Sequence, residues 1–162
     1  MSDAAPMTEP IRIRHAVPAD IDILVEFNAA MARETEGKAL DPATLRNGVA
    51  AVLNEPRHGF YLVAESAGIV IGCLMITYEW SDWRNGNWWW LQSVYIRKDQ
   101  RRRGVFRALH ADVEQHARAA AGVIGLRLYV ERDNARAQAT YAMLGMNATH
   151  YSMWEREFVH RD

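Results

Sequence analysis

Six basic side chains, Arg97, Lys98, Arg101, Arg102, Arg103 and Arg107, crowd one short stretch of this sequence, with Gly104 among them. Such a cluster can bind a polyanion. Residues 88–96 before it (Trp-Trp-Trp-Leu-Gln-Ser-Val-Tyr-Ile) read as a strand. Residues from 105 onward read as a helix with Val105, Leu109, Val113 and Ala117 on its apolar face. A helix start leaves several backbone N–H groups unpaired, with the positive end of the dipole behind them. Those groups form a ready anion site, and Gly104 removes a side chain where the anion would approach the backbone. So many cations at a helix N-terminus oppose the dipole; a bound polyanion removes the conflict.

Three readings compete for this cluster: the pyrophosphate site of a nucleotide or CoA, a solvated basic loop, and a nucleic-acid patch. The last is the weakest, because the net charge is −1 and no interleaved stacking motif accompanies the cations. The spacing is neither a Walker A loop nor the three-glycine dinucleotide fingerprint.

The elements that must position the turn follow from periodicity. A chain of 162 residues with 49% hydrophobic and 24% charged side chains is expected to form one domain over residues 11–162, with residues 1–10 as a flexible lead-in. Residues 11–14 alternate as a half-exposed strand. Pro18 and Asp20 open a helix expected to reach about Ala32, and Asp41-Pro42 opens a second. Residues 60–64 and 69–78 are strand-like, joined by a turn at 66–68, and Asn85-Gly86 turns the chain back into residues 88–96. Ile124, Leu126, Leu128 and Val130 alternate as a further strand. Asn134 is placed to cap a helix that Gly145 closes, and residues 147–158 read as one or two final strands. The order describes a mixed α/β domain, an antiparallel meander leading into a right-handed β-α-β crossover. Cys73, the single cysteine, has no disulfide partner and reads as a small core residue. No apolar run reaches the ~20 residues of a membrane helix, and the first ten residues lack a signal pattern. A cytoplasmic protein with no membrane partner is expected.

Taken with the element order, Arg101-x-x-Gly104-x-Phe106 resembles the acyl-CoA signature of GNAT-type N-acetyltransferases: Arg or Gln, two residues, Gly, one residue, then Gly or Ala. Phe106 departs from that pattern, replacing the small last residue. The resemblance covers roughly residues 11–157. It implies a GNAT-like, mostly antiparallel mixed sheet with a β-α-β acyl-CoA-binding core flanked by helices. It implies acetyl-CoA as co-substrate, no metal, and a primary amine as acceptor, acetylated by direct attack in a ternary complex. By the same likeness the pantetheine arm lies in a splay between two parallel strands, on the backbone of Val94 and Ile96 with Tyr95 between them. Backbone N–H groups from Arg102 and Arg103 through Gly104 and Val105 to Phe106 would hold the pyrophosphate. A second block, Asn134-Ala135-Arg136-Ala137-Gln138-Ala139-Thr140-Tyr141, resembles the family's Asn-x-x-Ala-x-x-x-Tyr pattern. It would give Asn134 to the pantetheine and Tyr141 to the sulfur as general acid, since the leaving thiolate needs a proton. A homodimer is expected by the same likeness.

The amine must attack as a neutral nucleophile, so a base or an ordered-water relay must take its proton. Trp90 stands where some relatives carry a carboxylate. Glu79 is the candidate base, with Asp82 and Trp83 beside it, and Glu34 and Glu36 between the first two helices, as candidate acceptor-binding residues. Alternation sends Trp88 and Trp90 to one face and Trp89 to the other; one face is core, and the other could make an aromatic wall for a cationic amine. The bland alternative is fold packing with solvated acids. Histidines 15, 58, 110, 116, 150 and 160 are scattered, and no metal site is assigned. A non-catalytic acyl-CoA sensor is the alternative function.

Overall fold

The computed structural model describes residues 9–158. Most of the expected lead-in, and His160, lie outside them. The chain divides into two compact units, one ending at Leu128 and the other starting at Tyr129.

The first unit holds five strands and three helices: β1 (Arg12–His15), α1 (Ile21–Glu36), α2 (Pro42–Asn54), β2 (Phe60–Ser66), β3 (Ile69–Ser81), β4 (Gly86–Ile96), α3 (Val105–Ala119) and β5 (Val123–Arg127). The strands form one sheet in sequence order, antiparallel from β1 to β4 and parallel between β4 and β5. This is the mixed, mostly antiparallel architecture that the periodicity calls for, with α3 as the crossover.

Each face of the sheet has its own core. On one face α3 lays Val105, Leu109, Val113 and Ala117 on Leu62, Leu74, Ile76, Trp89 and Leu91. On the other, Leu24, Phe27 and Val49 of α1 and α2 pack on Tyr61, Val63 and Cys73. The tryptophan run divides as strand geometry requires: Trp89 is 9% exposed in the α3-side core, while Trp88 and Trp90 face the other way, half-buried. Cys73 is fully buried, and burial pushes its thiol up to about 12.

Local chemistry sets the helix ends. Asp41 caps α2 by accepting from the Thr44 N–H at 2.7 Å. The first helix outruns its expected end near Ala32, because the polar residues beyond it still form helix; it stops only at Gly37, whose φ is +63°. An ion-pair knot ties β1 to the start of α1: Asp20 accepts from both Arg14 terminal nitrogens, at 2.7 and 3.0 Å, and from the Val17 N–H at 2.8 Å. The Arg14 guanidinium holds the Asp20 carboxyl below its ordinary range.

The second unit contains α4 (Ala135–Met143). Asn134 caps it, its Oδ1 accepting from the Ala137 N–H at 3.0 Å. It ends in a Schellman motif: Met146 donates to the Tyr141 carbonyl and Gly145 to that of Ala142, each at 3.0 Å. The one or two strands expected over residues 147–158 are not formed. Those residues are exposed throughout, so their alternation has no buried face to serve.

One interior glycine is fixed by packing. A Cβ on Gly125 of β5 would lie 2.4 Å from the Trp88 ring, so the indole occupies the space that a side chain there would need. Gly125→Val is expected to lower stability by about 1–3 kcal/mol through overpacking, read as a drop in the denaturant midpoint. Asp20 supplies a pH test. Its depressed pKa means its stabilisation is complete above the ordinary carboxylate range near ~3.9 and is lost as pH falls below it. Asp20→Asn should therefore flatten the acid limb of the stability curve while lowering stability at neutral pH.

Candidate functional site

The strand leading to the basic turn does not run straight. The β3–β4 register shifts between Cys73 and Met75, where Cys73 pairs with Tyr95 and Met75 with Gln92. The extra β4 residue falls at Ser93–Val94, and Ser93 has φ +49°. This is a β-bulge, which bends its strand and increases the local twist. The Cys73 thiol donates to the Ser93 carbonyl at 3.4 Å across it. Pairing with β5 stops short of the bulge, with Trp90 opposite Arg127 as the last pair. β5 ends at Arg127, and the β5-side edge of β4 beyond Trp90 runs on without a strand partner among the described residues; this unpaired edge is the splay.

Backbone polarity in the splay follows from register. Arg97 N–H donates to the Ile71 carbonyl at 2.9 Å. Antiparallel bonds alternate, so the N–H and C=O of Ile96 point away from β3, toward the opening. The Ile96 carbonyl accepts from Arg101 Nε at 2.9 Å. Beyond Ile96 come a short 3-10 turn, Lys98–Gln100, and two left-handed residues, Arg102 at φ +64° and Gly104 at +79°. Then α3 begins with Gly104 as its cap. Its immediate chain neighbours aside, no atom of the described residues lies within 4 Å of where a Gly104 Cβ would be, so the space beside this cap is open.

The six cations are not equivalent. Arg97 is chelated by Asp99 at 3.2 and 3.0 Å. Glu34, from the last turns of α1, takes Arg101 at 2.8 Å and Lys98 at 3.4 Å. It also accepts from the Tyr95 hydroxyl at 3.0 Å. The Arg101 guanidinium, first among these partners, holds the Glu34 carboxyl below its usual value. Burial, ahead of the neighbouring carboxylate, raises the Tyr95 phenol, whose ring lies 5.0 Å from Phe27. Among the described residues Arg103 donates to the neutral Gln100 amide. Among the described residues Arg102, Arg103 and Arg107 have no carboxylate partner. These three supply the uncompensated charge around the α3 N-terminus.

The residues expected around an amine fall into separate groups. Glu34 belongs to the basic turn, and Glu36 is exposed beside Lys38 at 2.9 Å. Asp82 and Trp83 lie in the β3–β4 turn, Trp83 92% exposed and its N–H donating to Asp82 at 2.8 Å. The eleven residues of β4 separate that turn from Glu34 by about 30 Å. Glu79 is held on the sheet: it accepts from the Trp90 indole and from Arg127 Nη1, at 2.9 Å to Oε1 and 3.0 Å to Oε2. In the second unit Asn134 is the α4 cap and Tyr141 lies seven residues along, its phenol raised by burial.

Sequence reasoning missed Arg127 and Gln92. Arg127 stacks over Trp88, 4.1 Å from Cζ to the ring centroid. Gln92, just before the bulge, donates to Thr77 Oγ1 at 2.6 Å. The signal for Arg127 was a charged residue in an otherwise apolar strand pattern, opposite the tryptophan run. His15 and His116 approach to 5.9 Å between ring centroids, but among the described residues no three of His, Cys, Asp and Glu gather as a metal site requires.

The Acetyltransferase (GNAT) family model matches residues 24–146. A possible acetyltransferase from Clostridium difficile 630 superposes with a TM-score of 0.87 at 45% identity, covering 94% of this chain and 100% of its own. A predicted acetyltransferase from Clostridium acetobutylicum, solved with acetyl-CoA, is similar in fold at 15% identity and a TM-score of 0.74, over 91% of this chain and 96% of its own. An aminoglycoside N-acetyltransferase solved with CoA is similar in fold at 16% identity and a TM-score of 0.74, over 95% and 99%. None of the proteins of curated function matches the chain.

The division of charge predicts unequal effects on CoA binding. Arg103→Ala should weaken it about tenfold by calorimetry, the size of a lost charge-assisted bond. Arg97→Ala, whose charge Asp99 already neutralises, should change it less than about twofold.

Proposed function

Because the chain belongs to the GNAT acetyltransferase family, we propose that it moves the acetyl group of acetyl-CoA onto a primary amine in a ternary complex. The observation that carries this reading is the splay beyond Trp90 and Arg127, with the open, glycine-capped N-terminus of α3 at the end of the same strand. In this reading the pantetheine arm lies along Val94, Tyr95 and Ile96, bonded by the outward-facing backbone of Ile96. The pyrophosphate sits on the N–H groups from Arg102 to Phe106. Arg101 keeps its contacts to Glu34 and Ile96 and orders the turn rather than gripping phosphate. Phe106, partly buried against the α3-side core, fills with apolar surface the place where the family has a small residue.

The chemistry balances with few groups. The amine nitrogen bonds the thioester carbonyl carbon, the C–S bond breaks, the nitrogen loses a proton and the sulfur gains one, giving an acetamide and CoA thiol. We assign Tyr141 as the acid to the sulfur and Asn134 to the pantetheine, on the motif resemblance. Glu79, the tentative base, has both oxygens committed to Trp90 and Arg127; this favours ordered water for the proton on nitrogen and a positioning role for Glu79. Residues 11–162 then act as one acetyltransferase domain with no nucleic-acid partner. A cytoplasmic location and a homodimer complete the proposal; among the described residues no helix is long and apolar enough to cross a membrane.

Calorimetric titration with acetyl-CoA, beside desulfo-CoA and ATP, tests the core of the reading. Binding that Gly104→Val weakens at least about tenfold supports it, since valine meets both the left-handed φ and the anion. Absence of binding at millimolar ligand defeats it. Tyr141→Phe should lower kcat and leave acetyl-CoA affinity in place; unchanged kcat would remove Tyr141 as the acid, and no turnover by the wild type with any amine would favour the sensor reading. Glu79→Gln should lower kcat/KM without moving the acid limb of the pH profile, whereas loss of that limb would restore Glu79 as the base.

A further inference from the structure

This inference rests on the proposed acetyl transfer and names the class of acceptor. We infer that Arg127 is a carboxylate receptor at the mouth of the splay, and that the acceptor is an amino acid carrying a free carboxylate close to the amine that is acetylated.

Access to the splay differs between the two sides of the sheet. On the α3 side the sheet is covered by the core that includes Trp89, Leu91, Val105 and Leu109. On the opposite side α1 reaches β4 at Tyr95, through Phe27 and Glu34. Trp88, Trp90 and Gln92 lie outside the core built by α1 and α2. Within the first unit, Trp88, Trp90 and Gln92 are the β4 side chains of this face that lie outside the helix core, and we take them as the side from which an amine approaches. Arg127 stands on that route as the last β5 residue paired with β4.

The guanidinium is half used. Nη1 makes both bonds to Glu79; among the described residues Nε and Nη2 have no partner. The ion pair holds Nη1, and the Trp88 ring, its centroid 4.1 Å from Cζ, covers one side of the group. Gly125 leaves the room that this indole occupies against β5. The side chain keeps 32% of its surface in water. A guanidinium held on one edge and one face presents its Nε–Nη2 edge in a set direction, the geometry that takes a carboxylate through two parallel bonds. The same arrangement argues against a polycationic acceptor. The carboxylate of this strip, Glu79, is already neutralised, and Arg84 adds a second cation at 5.3 Å from the Trp88 ring.

The test uses wild-type full-length protein, saturating acetyl-CoA, and matched pairs of probes: free α-amino acids and their carboxamides, with spermidine and an aminoglycoside as cationic controls. The expected result is a kcat/KM about 10- to 100-fold higher for an amino acid than for its carboxamide, the size of a charge-assisted bond pair, expressed mainly in KM. Arg127→Gln should collapse that ratio toward unity, and Arg127→Lys should restore part of it. Carboxamides or polycations acetylated as well as or better than the free acids overturn the assignment and leave acetyl transfer standing. Acetyl-CoA that binds while no free amino acid is acetylated has the same effect. Failure to bind acetyl-CoA removes the underlying reaction and this inference together. The matched-pair comparison needs no variant, so it decides the matter even where an Arg127 substitution fails to fold.

Discussion

The bulge at Ser93–Val94 is the constraint from which the rest of the site follows. Paired strands share one twist, and one extra residue in β4 changes the twist and direction of that strand locally. Pairing with β5 has already ended at Trp90 and Arg127, before the bulge begins, and beyond the bulge the N–H and C=O of Ile96 are turned away from β3. The bulge is built from ordinary residues. Ser93 takes a left-handed φ, and the buried Cys73 donates to its carbonyl. A cysteine that is unremarkable as a core residue thereby touches the bulged backbone.

Electrostatics then sorts the turn. A row of six cations invites the picture of one undivided positive patch. The fold instead sends Glu34 from α1 and Asp99 from the loop to quench three of them. Glu34 also reaches Tyr95, so one carboxylate joins the first helix, the strand and the turn. Ion pairs this exposed contribute little stability singly; their value lies in holding Arg101 on the Ile96 carbonyl and fixing the loop before the α3 N-terminus.

Much of this was legible in the sequence. Strand alternation, the Asp41-Pro42 start, the Asn85-Gly86 turn and the crossover into α3 depend on local chemistry, and they appear where that chemistry puts them. Tertiary information was not readable in the same way. Glu34 and Arg101 are far apart in sequence, and no periodicity announces that they meet. The carboxylates grouped by sequence around an amine divide between opposite ends of β4, because a strand carries neighbouring residues steadily apart. Alternation predicted too long a final strand in the first unit: β5 ends at Arg127, and no residue after it pairs with β4. The apolar residues of the tail raised an expectation of strands that no buried face supports.

The quenching of half the basic turn also governs how the turn meets ions in solution. Free counterions gather around net charge, so the atmosphere at the α3 N-terminus is set by Arg102, Arg103 and Arg107 rather than by all six cations. An incoming polyanion displaces that smaller atmosphere and gains correspondingly less entropy from its release. At the physiological screening length of about 8 Å, the pull on a polyanion is confined to the immediate approach to the helix. A polyanion held at this turn would therefore be latched at short range with shallow dependence on ionic strength, since the long-range capture that the arginine count implies is cancelled from within by two carboxylates.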